Sequence, residues 1–453
     1  MRFLLVVPAL MLTLVVPARG QEADKLETAL FRTAPQLLKI LEKKEVKNVG
    51  VIKFLVARGE GRAVDNAGVI NRNLADRLET ALLLALPNDK IGVIAQATDE
   101  AANHNVMTHL DVPGRRSFFD HQYTLAWGNA DPIDADYFLT GTAAISADLK
   151  TIKVKVQGFG KDGKLDELLE FKAAVDSRLM TEGGYSYVVP ANKYDNLARG
   201  RPEAQRHQQI IESTPKQDKV EPLVVNEPAF PDLKEAPIDV MVMYNNSPVK
   251  IENGRVPEPT AETKIKFVVK NKTDKTLGVV LKINGENSVF RERSEGLLCH
   301  KWILAPKGEV TVTGFQESFE KENKFKVLPP RQSRENEINY GSNAGTFQIA
   351  VFTGSMSEQE PKAEQVVSRE EQSVAAIARG NPSVGKRRPG TLVSLQADLR
   401  GREKLNNEGG RGMIVADEVG TKREVKKVYF QPTLDLPVAL LTIRYYQPNK
   451  AND

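Results

Sequence analysis

Apolar positions recur three and four apart in two stretches near the amino end of the chain. In residues 25–44 they are Leu26, Leu30, Leu37, Ile40 and Leu41, the stripe of an amphipathic helix that Pro35 is expected to kink or split. In residues 63–86 they are Ala67, Ile70, Leu74, Leu78, Ala81, Leu82 and Ala85, and Pro87-Asn88-Asp89 ends that helix. Residues 46–57 are a nearly unbroken apolar run, read as one strand buried on both faces. Ile91 to Ala95 is a second short strand, and Thr98-Asp99 can cap a helix beginning near Glu100. Asp136 to Ile145, Thr151 to Phe159 and Leu165 to Val175 read as three further strands. Lys161-Asp162-Gly163-Lys164 makes a hairpin turn, because Asp-Gly accepts the positive φ values required there. Strand, helix, strand, helix and then a meander predict a mixed sheet with flanking helices.

From 195 to 237 the pattern lapses. Residues 214–237 carry five prolines and little periodicity, so 195–237 is expected to be an extended Pro-rich linker. Short strands then follow at Ile238 to Tyr244, Thr263 to Lys270, Leu277 to Ile283, Lys301 to Leu304, Glu309 to Phe315 and Thr346 to Phe352. Asn271 to Thr276, Asn284-Gly285 and Pro306-Lys307-Gly308 are the turns between them, and the spacing predicts a β-sandwich over 238–356. Residues 357–421 read as a polar, basic excursion with a short helix around Arg369 to Arg379 and a mobile stretch at 380–390. Val425 to Phe430 and Pro437 to Tyr446 are apolar β segments, so 422–453 should return to the sandwich. The fold class is therefore α+β, with a helical segment at 21–44, an αβ domain at 45–180 and the sandwich after the linker.

Residues 1–20 form none of these elements. Arg2 is followed by an apolar run from Phe3 to Val16, with small Ala18 and Gly20 before Gln21, the layout of a cleaved secretory signal peptide. That run is too short to span a bilayer, and no later stretch is apolar enough to do so. The expected location is periplasmic or extracellular. Without Arg2 and Arg19, 63 basic residues become 61 against 59 acidic ones, a balance of +2 that gives no field for collecting nucleic acid. Cys299 is the one cysteine, which excludes an internal disulfide, a zinc or redox pair, and a lipid anchor at the cleavage site. Flanked by Leu297, Leu298, Trp302 and Ile303, it reads as a small buried hydrophobe.

Residues 45–176 resemble the domain shared by the curli-secretion lipoprotein (CsgG-like) family and the amino-terminal domain of TolB. NVGVIKFLV, NRNLADRLETALL, IGVIA and DADYFLTGTAAI carry the likeness, with Asp76, Arg77, Leu78, Asp136, Tyr137, Leu139, Thr140, Gly141 and Thr142 where that pattern has them. The resemblance implies an envelope assembly or protein-binding module. It does not extend to the lipidated cysteine, and residues 96–135 lack the alternation of barrel strands. The phrases IKFVVKNKTDKTLGVVLKINGENSVF and CHKWILAP are similar to a β-sandwich domain of bacterial exported proteins.

Chemistry-bearing residues form no convincing set. His104, His109, His121, Asp111 and Asp120 are the densest group of metal-ligand types, but a five-residue gap places His104 and His109 on different helix faces. No Gly-x-Ser-x-Gly elbow occurs, and Gly158-Phe159-Gly160 lies in a hairpin, where it cannot open a helix for a dinucleotide. Asp131 and Asp134 read as solvated loop acids, Lys386-Arg387-Arg388 as a solvated basic loop, and Trp127 and Trp302 as packing residues. No catalytic, cofactor-binding or metal residue is assigned and no cofactor is implied. The expected function is non-enzymatic binding of a protein partner in the cell envelope. An extracytoplasmic sensor holding a small molecule or glycan between the domains is the alternative, followed by a metal-dependent envelope hydrolase using residues 96–135.

Overall fold

The computed structural model describes residues 24–103, 108–129, 131–216, 228–329, 343–357, 390–401, 414–416, 420–426 and 428–445. The expected leader at 1–20, the expected helix around 369–379 and the stretch 380–389 lie outside them. Helix α1 (Leu26–Lys43) buries Leu26, Ala29, Leu30, Ala34, Leu37, Leu38 and Leu41 and runs unbroken through Pro35. Pro35 is exposed, so water can satisfy the carbonyl one turn earlier that the ring leaves unpaired. The apolar run at 46–57 is two strands, β1 (Asn48–Val51) and β2 (Leu55–Arg58), not one. Both lie parallel to β6 (Tyr137–Ile145). Val51 pairs with Leu139 and Leu55 with Thr142, so Ile52 to Phe54 bulge opposite Thr140 and Gly141. Buried Asn71 holds the bulge, its amide donating to the Phe54 carbonyl at 2.7 Å and the Val64 carbonyl at 2.8 Å. Because Val64 bridges to Val56, helix α2 (Ile70–Ala85) starts later than the apolar spacing from residue 63 suggests.

The first sheet has the order β3-β1-β6-β7-β8, where β3 is Gly92–Val93, β7 Thr151–Phe159 and β8 Asp166–Ala174. Helices α1 and α2 cover one face. Part of the other is covered by helix α3 (Ala97–Asn103), helix α4 (Val112–Ser117) and the short strands β4 (Gln122–Tyr123) and β5 (Ile133–Asp134). There Phe118, Phe119 and Tyr123 meet Phe138 and Phe159, with Phe118 and Phe138 ring centroids 5.1 Å apart. After helix α5 (Ser177–Glu182) and strand β9 (Tyr187–Val188) the chain enters the segment expected to be an extended linker. Residues 203–213 of it form helix α6 (Glu203–Ser213), bracketed by Pro202 and Pro215 and anchored by fully buried Ile210. A helix between two prolines escapes a reading that weighs proline content over the whole segment.

The second region is built from β10 (Ile238–Tyr244), β11 (Ser247–Val249), β12 (Ile265–Asn271), β13 (Leu277–Ile283), β14 (Glu286–Asn287), β15 (Trp302–Leu304), β16 (Glu309–Val312), β17 (Gly314–Gln316), β18 (Lys321–Val327) and β19 (Thr346–Ser357). Helix α7 (Leu392–Gly401) follows, then β20 (Ile414–Ala416), β21 (Thr421–Lys422), β22 (Tyr429–Pro432) and β23 (Ala439–Arg444). One sheet runs β11-β10-β12-β16, and a larger one runs β14-β13-β19-β23-β9 with β15 and β22 at its flanks. The two face each other through Phe267 and Phe347, whose centroids are 4.7 Å apart. The run from Glu309 to Phe315 divides at Thr313, because β16 pairs with β12 while β17 pairs with β18. The two regions share a ladder: Tyr187 pairs with Leu440 and Val188 with Ala439. Arg444 reaches back to the Asn66 carbonyl at 2.8 Å, and the Thr442 N–H donates to Ser186 Oγ at 2.9 Å. Among the described residues no helix is long and apolar enough to cross a membrane.

Candidate functional site

The four described members of the metal-ligand group, His109, Asp111, Asp120 and His121, form no metal-holding cluster. His109 is buried, and burial, with Lys53 and Arg115 nearby, pushes it down to about 3. Asp111 caps α4, accepting from the Gly114 N–H at 2.6 Å. Asp120 sits in a 3-10 turn, and His121 leads from it into β4. His104 lies outside the described residues, as do Lys386, Arg387 and Arg388. Among the described residues no three His, Cys, Asp or Glu side chains could hold a metal ion. Asp134 ends β5, and Phe159 belongs to the aromatic cluster. Trp127 is buried, and the half-buried Trp302 donates its indole N–H to Ser288 Oγ at 2.9 Å. Cys299 is buried, which pushes its thiol up, and Sγ contacts the Ser294 carbonyl at 3.1 Å.

Polar side chains do gather in the connection from β13 to β15, residues 284–301. Its backbone is left-handed at Asn284 and Gly285, and again at Phe290 (φ 57°) and Arg291 (φ 53°). A bulky residue held there costs about 1–3 kcal/mol and persists only where its surroundings impose it. Here they do. Buried Glu286 pairs with Arg291 at 3.0 Å and Arg293 at 2.9 Å, and the Phe290 N–H donates to the Gln316 carbonyl at 2.7 Å. Glu292 accepts from Asn287 Nδ2 at 2.9 Å and the His300 N–H at 2.6 Å. Burial alone would raise the Glu292 carboxyl, but hydrogen bonds from His300 and Asn287 and the His300 charge hold it below the usual range. Lys301 donates to the Leu297 and Cys299 carbonyls, both at 2.7 Å, and burial lowers it to about 8.

This bracing presents an aromatic and apolar outer side. The Phe290 ring lies 4.8 Å from His300 and 5.3 Å from Phe319. Phe319, in the β17–β18 turn, is 41% exposed, and Leu298 is 57% exposed. Rigid, partly exposed aromatic groups in a fixed loop are what protein interfaces use as anchors. Sequence reasoning marked the Asn284-Gly285 turn, Cys299 as a buried hydrophobe and a strand from Lys301 here, but no contact surface. Phe290 and Phe319 sit among charged neighbours with no periodicity to flag them, and Leu298 lies in an apolar run that reads as buried.

A second feature lies where the regions meet. Arg178, Tyr187, Lys282, Glu295, Phe352 and Asp435 line a cleft of about 40 Å³, space for a few waters. Deeper in the first region, fully buried Arg77 joins α1, α2 and α5 through Glu182 at 2.8 Å and Glu27 at 3.6 Å. Between α2 and α3, Arg72 pairs with Asp99 and lies 3.8 Å from Asp76. Burial pushes the Asp76 carboxyl up to about 6 and Glu79 well above the ordinary range.

No protein-family model matches this chain, and no curated protein does. Two solved structures are similar over part of it. The carboxy-terminal domain of LpoB from Salmonella enterica is 17% identical over 32% of this chain and 94% of that domain, with a TM-score of 0.19. E. coli LpoB is 12% identical over 39% of this chain and 81% of its own, with a TM-score of 0.21. At TM-scores of this size the likeness carries no argument about fold or function.

Proposed function

We propose that this is an exported, non-enzymatic protein of the cell envelope that binds a protein partner, and that residues 284–301 with the Phe319 turn are its contact surface. The observation that carries the reading is the left-handed pair Phe290 and Arg291, with Arg291 braced by Glu286, the Phe290 ring against exposed Phe319, and exposed Leu298 in the same connection. A fold that accepts this backbone cost and commits the buried Glu286 carboxylate to bracing it is holding that loop for a purpose. Export rests on the leader-like residues 1–20. We read the first region as a CsgG-like or TolB amino-terminal type of αβ module and the second as a β-sandwich, which the β12–β19 facing contact supports.

The test is crosslinking in the native envelope with a photoreactive residue at position 298. One partner should be captured by the otherwise unaltered chain and lost when Phe319→Ser is added, with the thermal transition unchanged. Capture that Phe319→Ser leaves intact removes this surface from the reading. The sensor reading is favoured by one observation only, that the cleft joins both regions. Its size argues against a glycan.

A further inference from the structure

Phe347 of β19 points into the sandwich, so by alternation Ala350 lies on the opposite face of the large sheet. On that face Val280, Ala350 and Leu440 stand in one row across β13, β19 and β23, since Val280 pairs with Ala350 and Ala350 with Leu440. The middle position of the row supplies only a methyl group. Above it Gly296 supplies no side chain, and a Cβ there would sit 3.5 Å from the Ala350 Cβ. These two small residues hollow out the cleft of about 40 Å³ where the regions meet, and Tyr187 and Phe352 continue its apolar wall. An apolar floor with a few polar groups is the usual form of a small-molecule site.

Four charged side chains line the cleft: Arg178, Lys282, Glu295 and Asp435. Arg178 pairs with Glu182 at 3.2 Å and also faces the Glu295 charge. Asp435 pairs with Arg206. Lys282 differs from these. It is 8% exposed, and no carboxylate of the described residues lies within ion-pair reach of its ammonium. The ammonium donates to the Ser294 carbonyl and has two further N–H groups to give. A cation this buried is costly without an anion beside it. We infer that the cleft is a binding site for a short aliphatic carboxylate, with the carboxylate on Lys282 and the alkyl chain on the row Val280, Ala350 and Leu440. Space for a few waters holds about four or five non-hydrogen atoms, the size of acetate or propionate. Arg178 and Tyr187 come from the first region and Lys282 from the second, so an occupied cleft ties the two together. This site does not rest on the partner-binding reading, and neither proposal depends on the other.

The test titrates the full chain with sodium propionate, followed by ligand-observed NMR and by the thermal transition. Propionate should bind saturably with millimolar affinity, which is what so few atoms can supply, and should raise the transition temperature. Propylamine, of the same length and opposite charge, should bind at least tenfold more weakly. Lys282→Met keeps the apolar stem and removes the charge, and should weaken propionate binding at least tenfold while the chain keeps its native transition. Ala350→Leu fills the hollow and should abolish binding. If either variant loses its native transition, Gly296→Ala replaces it and should weaken binding, because its methyl group would enter the cleft at ordinary contact distance from Ala350 and Phe352. Absence of saturable propionate binding, equal binding of propylamine, or binding that Lys282→Met leaves intact overturns the inference.

Discussion

The first sheet and the second region bury their strands by different routes. In the first, β6, β7 and β8 follow one another through tight turns, and α1 and α2 come from the chain just before. In the second, the central strand β19 pairs with β13 on one edge, Val280 opposite Ala350, and with β23 on the other, Ile349 opposite Leu441. Those partners lie far apart in sequence, so loop closure must be met before any contact rewards it. The β6–β7–β8 meander of the first region can form from local pieces, although β1 and β2 reach β6 over separations as long as those in the second. The second is finished only when its last strand arrives, and that strand also takes β9 from the first region. The carboxy-terminal segment is thus the element that closes the molecule.

The largest effect should come from removing that element. Deleting residues 422–453 takes β22 and β23 from β19, and takes the Tyr187–Leu440 pair from β9. Residues 238–356 should lose their cooperative transition, the ~5–15 kcal/mol that holds a domain. The first sheet should stay folded. Hydrogen exchange measured separately at β7 and β13 checks this, with β13 losing protection and β7 keeping it. Simultaneous loss at both would mean the shared ladder fuses the regions into one folding unit, and the contrast between them would fall.

A smaller effect should stay within the first region. Arg77 is fully buried, and Arg77→Ala leaves Glu182 and Glu27 facing each other in the core. Burial already pushes the Glu182 carboxyl up despite Arg77 and Arg178. Removing one partner of a buried pair costs about 3–5 kcal/mol. Urea unfolding followed at β7 should show that loss, with β13 little changed. A cost below ~1 kcal/mol would mean that the network is hydrated and does not organise α1, α2 and α5.

The same contrast explains which features could be read in advance. Strands β7 and β13 stand at the residues their patterns mark, because alternation or a short apolar run bounded by turns is a local signal. The bulge at Ile52 to Phe54 could not be read, because it depends on counting residues across to β6. Strand β18, KENKFKV, looks solvated in sequence. Its Glu322 is buried because Arg423, 101 positions away, pairs with it. Helix α7 sits in a segment read as a surface excursion because its seat is on α2, with Gln396 bonding a residue 313 positions upstream. At the candidate contact surface the turn at Asn284-Gly285 was legible, but the left-handed backbone at Phe290 and Arg291 was not. No residue type there asks for it; Glu286 and Gln316 impose it.

The finest separation of the two regions should come from pH. In the first, burial raises the Asp76 carboxyl to about 6 from 3.8, and raises Glu79 and Glu182 as well. A carboxyl raised in the folded state favours folding when protonated. Its contribution is full below the unfolded value and is lost as pH rises through the folded one. Lowering the pH from 7.5 to 5 should therefore stabilise the first region, by roughly 1–1.5 kcal/mol from Asp76 alone. In the second region Glu292 has the opposite sign: it is held below 4.5, so its contribution stands above that pH and is lost as pH falls through the lowered value. Exchange protection at β7 should thus rise between pH 7.5 and 5 while protection at β15 stays level, and β15 should weaken only under more acidic conditions. Asp76→Asn should reduce the rise at β7, leaving the part due to Glu79 and Glu182, without touching β15. If both regions respond alike, the carboxylates of α2 are solvated, and the polar seam between α2 and α3 does not set the first region's stability.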